Sequence, residues 1–98
     1  MYTMNHYYTS DGQRVAKSVI ESRVKLAKKI AVDEQKDEHG YNFCVECGRS
    51  TGVILDCSHT ISVDYAQKTA RTELAWDTDN IKLRCRECHI KHDSQSKL

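Results

Sequence analysis

The sequence predicts a small α+β fold, one compact folding unit stapled by a four-cysteine zinc site and preceded by a basic N-terminal helix. Three observations carry that expectation: a chain of 98 residues, two CxxC pairs, and a helix-spaced apolar stripe in the first third. A chain this short has a marginal hydrophobic core, which metals or disulfides commonly supplement. Five cysteines are many for the length, and an odd count suits a closed set of disulfides poorly. The opening MYTMNHYYTSDGQR has no apolar run of signal-peptide length. No stretch approaches the roughly 18 apolar residues that span a bilayer. The expected setting is cytoplasmic and away from membranes, where thiols stay reduced and paired cysteines more often hold metal.

The elements follow in order. The first is a helix over residues 13–36, where Val15, Val19, Ile20, Ala27, Ile30 and Ala31 recur near helical spacing and Ser10 or Asp11 can cap the start. The preceding NHYYTSDG reads as an irregular arm or short strand. After Gly40 comes NFCVECGRSTGVILDCSH: a cysteine knuckle, a turn at 50–52, and a strand at 53–55. A polar helical stretch over 63–74, a second strand in NIKLR, and a last helix over 86–96 complete the chain. Residues 1–43 thus form an arm and helix, and residues 44–98 a finger.

Net charge is only +1, but it is the sum of unlike segments. Residues 1–32 carry +4, residues 33–56 carry −4, and residues 57–98 carry +1. The positive excess lies on the helix, where Lys25, Lys28 and Lys29 form a basic face. Phosphates supply most of the affinity in nucleic-acid binding, so this face makes DNA the expected partner. A solvated amphipathic helix packing its apolar stripe on the finger accounts for the same pattern, and both readings can hold at once.

Cys44, Cys47, Cys85 and Cys88 make two CxxC pairs with 37 residues between them. Two residues between thiols turn both sulfurs of a knuckle toward one ion, and two knuckles complete the tetrahedron that zinc favours. CRECH in RCRECHIKHD also matches the attachment sequence of a c-type haem. A haem would consume Cys85 and Cys88, strand the first knuckle, and require export of a chain with no export signal. Zinc is therefore the expected metal. Cys57 is expected to be a small apolar side chain packed at a strand end, and Trp76 to lie in the core. With four thiolates closing the zinc sphere, His89 and His92 are not needed there.

From Cys44 to His92 the chain resembles the cysteine-bearing branch of the HNH endonucleases, whose fold is a ββα-metal finger. The resemblance rests on CVEC, the histidine closing VILDCSH, the asparagine opening NIKLRC, and CRECH, in that order over about half the chain. It implies that His59 is the general base and that Asn80 holds the loop and orients His59. It implies that His89 ligates a catalytic divalent cation, Mg2+ or Mn2+ or another, separate from the structural zinc. One departure stands out: many members carry a metal-binding Asp or His just before the base, and here that residue is Ser58. Asp56, then His92, are the reserve ligands, with Asp56 ranked first. The implied activity is hydrolysis of DNA phosphodiester bonds by a compact nuclease of the kind found in phages and mobile elements. Symmetric double-strand cleavage by so small a site would call for a homodimer. The competing function is a non-catalytic zinc module that binds nucleic acid or protein.

Overall fold

The structure, a computed structural model, describes residues 6–96. Within them the chain forms three helices and two separate two-stranded antiparallel sheets.

The first sheet is a hairpin of β1 (His6–Tyr8) and β2 (Arg14–Ala16), with Tyr7 opposite Val15. Its turn is closed by the Thr9 N–H on the Gln13 carbonyl and the Gly12 N–H on the Thr9 carbonyl, both 3.0 Å. Gly12 sits at φ 84°, a left-handed backbone that glycine tolerates best. The expectation that Ser10 or Asp11 caps the helix is therefore wrong. Asp11 accepts from Thr9 within the turn, and Ser10 binds Glu73 through its N–H at 3.0 Å and through its hydroxyl. These residues clip the hairpin to the far part of the chain.

Helix α1 (Lys17–His39) starts later than expected because residues 14–16 extend into β2, and its N-cap Ala16 offers no side-chain hydrogen bond. It ends at Gly40, φ 86°, whose N–H returns to the Lys36 carbonyl at 2.7 Å. Ile20, Ala27 and Ala31 form its buried stripe. Ile20 packs with Val15 and Ala75, and Ala27 and Ala31 pack with Ile81. Half-buried Trp76 touches both groups and carries the Arg23 guanidinium over its ring at 4.8 Å. Beyond the helix, Gln35 holds the Phe43 N–H and carbonyl at 3.0 and 3.1 Å. That clamp sets the entry of the chain into the first knuckle.

The second sheet pairs β3 (Leu55–His59) with β4 (Ile81–Cys85), from Leu55 opposite Cys85 to His59 opposite Ile81. The expected strand at 53–55 is thus displaced toward the C-terminus, and His59 is its last residue. Between the strands lie α2 (Val63–Lys68) and two 3-10 turns, Thr72–Ala75 and Thr78–Asn80. The helix expected over 63–74 breaks at Ala70, φ 56°, where a left-handed residue cannot continue a right-handed helix. Helix α3 (Arg86–Ser96) follows β4 directly and packs on both strands of the sheet. No helix among the described residues is long and apolar enough to cross a membrane.

Candidate metal centre and histidine site

The 44–47 turn brings one pair of cysteines together, and the junction of β4 with α3 supplies the other. Its position follows from backbone bonds: the Val45 N–H donates to the Leu83 carbonyl at 2.9 Å, and the Gly48 N–H to the Cys44 carbonyl at 2.8 Å. All four sulfurs lie within 4.8 Å of one another. Zinc with thiolates at about 2.3 Å makes a tetrahedron with edges of about 3.8 Å, and Cys47 Sγ stands 3.8 Å from Cys85 Sγ. Burial works against a Cys44 thiolate, but the amides of Cys47, Cys85 and Glu46 outweigh it and draw the thiol down to about 6. Cys88 moves the other way, pushed up to about 12 by the adjacent Cys85 and by burial. Four sulfurs this close cannot all ionise without a cation among them. The cluster could hold a metal ion such as zinc, as the spacing predicts. Cys57 stands apart, half-buried, with Sγ on the Lys28 carbonyl at 3.8 Å, and burial raises its pKa.

At the end of β3, His59 Nε2 lies 2.8 Å from the Ala75 carbonyl. A carbonyl only accepts, so in the neutral ring the proton is on Nε2 and the lone pair on Nδ1. Burial is the first cause that lowers the His59 pKa below its usual value, and the Ala75 contact opposes it. Lys28, His89 and Asp93 are close enough for their charges to act on the ring. Asn80 is 6% exposed and fully engaged. Its Oδ1 accepts from the Ile61 N–H at 2.8 Å, and its Nδ2 donates to the Ile61 and Leu74 carbonyls at 2.9 Å. Asn80 and His59 therefore grip adjacent carbonyls of one turn.

Alternation along β3 sends Asp56 and Ser58 to one face and Cys57 and His59 to the other. Asp56 is taken by Arg86 through two bonds of 2.9 and 3.0 Å and faces His89 Nδ1 at 3.1 Å. Arg86 first, then His89, lowers its carboxyl to about 2. Ser58 is fully buried, and its hydroxyl accepts from Arg84 at 3.1 Å. Arg84 is itself buried and also reaches Glu46 at 3.2 Å and Thr60 Oγ1 at 3.4 Å. His92 Nε2 donates to the Thr60 carbonyl at 3.0 Å, tying α3 to the end of β3.

No family model, curated protein or solved structure matches the chain. What characterises the site is its own geometry.

That geometry joins some of the expected residues and separates others. The four cysteines converge, Asn80 and His59 share a turn, and Asp56 meets His89. No direct hydrogen bond between His59 and His89 is present among the described residues. Sequence reasoning missed Asp93, whose Oδ2 lies 3.3 Å from His89 Nε2. The signal was available as a His and an Asp four apart on one helix. It also missed Arg84 and Arg86, cations that occupy the sides of Ser58 and Asp56 where a metal was expected. Of the three lysines, Lys25 and Lys28 line a cleft beside His59, and Lys29 lies outside that lining.

Proposed function

We propose that the chain is a metal-dependent endonuclease hydrolysing DNA phosphodiester bonds, with β3, β4 and α3 acting as a ββα-metal finger of the HNH type. The supporting observation is the paired grip on the Leu74–Ala75 turn. His59 is held through Nε2, its lone pair is on Nδ1, and its lowered pKa keeps it neutral at pH 7. Those are the requirements of a general base taking a proton from water. Asn80 fixes the turn that fixes the ring.

His89 and Asp93 are the donor pair for a divalent cation, through Nε2 and a carboxylate oxygen that already stand 3.3 Å apart. Two side-chain donors with water and phosphate oxygens are sufficient for Mg2+, which keeps much of its hydration. Asp56 holds Nδ1 of His89 and so aims Nε2, as carboxylates behind metal-binding histidines do. A bound divalent cation would neutralise charge on the phosphate and the departing 3′ oxygen. The four-cysteine cluster fastens the start of α3 to the first knuckle, which keeps His89 in register with β3.

A second reading, the non-catalytic zinc module, is favoured by Arg84 on Ser58 and Arg86 on Asp56, which put cations beside two of the expected ligand positions. A plasmid-nicking assay with Mg2+, Mn2+ or EDTA on the wild type and His59→Ala separates the two. Metal-dependent nicking lost in His59→Ala supports the nuclease. DNA binding without cleavage in either protein supports the module.

A further inference from the structure

A cleft of about 530 Å³ runs between α1 and α2, with His59 in its wall. Its size lies within the roughly 300–1,000 Å³ range of small-molecule sites. Lys17, Lys25 and Lys28 line it against a single acidic side chain, Glu21. Half-buried Val24 and Val63, packed over buried Ile20, give it an apolar floor, and Gln67 adds an amide from the α2 side. Lysines above an apolar floor match the two faces of a nucleotide: an anionic phosphate and a flat base with apolar faces. The charge of Lys28 also reaches His59.

Building on the nuclease reading above, we propose that this cleft seats one unpaired nucleotide of a DNA strand, its phosphate held by Lys25 and Lys28 beside His59. In a duplex the base faces are already stacked on their neighbours, and the floor of Val24 and Val63 would go unused. An unpaired or extruded base can lie on such a surface while its phosphate meets the lysines. The amide of Gln67 can donate to or accept from a base edge, so it orients without demanding one base. The substrates that follow are single strands, frayed ends and flaps.

The test is fluorescence anisotropy with zinc-loaded protein, without magnesium or manganese, using a labelled eight-nucleotide oligothymidine and a blunt hairpin duplex of equal charge. The single strand is expected to bind more tightly than the duplex. Lys25→Glu and Lys28→Glu are each expected to weaken it by about tenfold or more, and Lys29→Glu by less than about twofold, although all three make the same charge change on one helix. Unchanged circular dichroism checks that each variant is folded, and exposed Lys25 serves if Lys28→Glu is not. Equal losses at all three lysines, tighter binding of the duplex, or no binding of the single strand would each overturn the proposal. The expected pattern in a protein that never cleaves DNA would remove the nuclease reading and leave the cleft as a nucleotide site. Metal-dependent cleavage without the pattern would do the reverse.

Discussion

His59 donates its Nε2–H to the Ala75 carbonyl at 2.8 Å, one residue from the Leu74 carbonyl that Asn80 holds at 2.9 Å. The two side chains thus read the same short turn, and the ring cannot reorient without breaking a bond to a backbone that Asn80 keeps in place.

The pH behaviour of His59 follows. Its folded pKa lies below the usual imidazole value of 6.5, so below that value the unfolded chain binds more protons than the folded one. The stability contributed by burying the neutral ring is fully present above about pH 6.5 and is lost as pH falls from there through the lower folded pKa. Urea unfolding from pH 5 to 8 should show His59→Gln with a flatter acid limb than wild type. NMR titration should place the His59 midpoint below 6.5.

Asn80 should be costly to replace. Asn80→Ala leaves one N–H and two carbonyls of the loop without their partner in a buried place, for a loss on the order of 3 kcal/mol in denaturant unfolding. Asn80→Asp should be no milder, because a second carboxylate oxygen faces two carbonyls that need a donor. A loss under about 0.5 kcal/mol for both would show that the loop does not depend on this side chain.

Zinc removal should unfold the finger end of the chain. Purified protein is expected to hold one zinc per chain, and Cys85→Ser to lose both the metal and cooperative melting, since metal binding and folding are coupled in small domains. Cys57→Ser should keep the metal, because its sulfur lies on the Lys28 carbonyl and outside the cluster. Metal analysis alongside thermal melting checks both.

The carboxylates around His89 should separate by role. Asp93→Ala is expected to weaken Mn2+ binding about as much as His89→Ala, whereas Asp56→Asn acts through the orientation of His89, with a loss of about 10- to 100-fold. Asp56 also has a pH signature. Its folded pKa of about 2 is below the usual 3.8, so its stabilising contribution is present above about pH 4 and is lost as pH falls toward 2. Calorimetric titration with Mn2+ and acid unfolding of the same variants measure the two effects.

Much of this arrangement was legible in the sequence because its parts are local. A CxxC spacing fixes two sulfurs within one turn, and the last helix follows the second knuckle without a break, so Cys44, Cys47, Cys85, Cys88 and the bounds of α3 could be read directly. The misreadings came where distant residues decide. Ser10 looks like a cap until Glu73, far along the chain, claims it. Ala70 carries no mark of a left-handed backbone, so the break in the 63–74 stretch was hidden. Asp56 was singled out as a reserve metal ligand, but its pairing with Arg86 depends on β3 lying beside the start of α3 and could not be read from spacing. Asp93 stood in plain spacing from His89 and was overlooked in favour of His92.

The most direct test of the nuclease reading is the pH–rate profile of Mn2+-supported plasmid nicking for wild type and His59→Ala, with Mn2+ affinity measured on both. The wild-type rate should fall on the acid side with a midpoint below 6.5. His59→Ala should lose about 100- to 10,000-fold in rate while keeping its Mn2+ affinity. Nicking that persists in His59→Ala with the same acid limb, or a wild type that binds DNA and Mn2+ but never cuts, would contradict it.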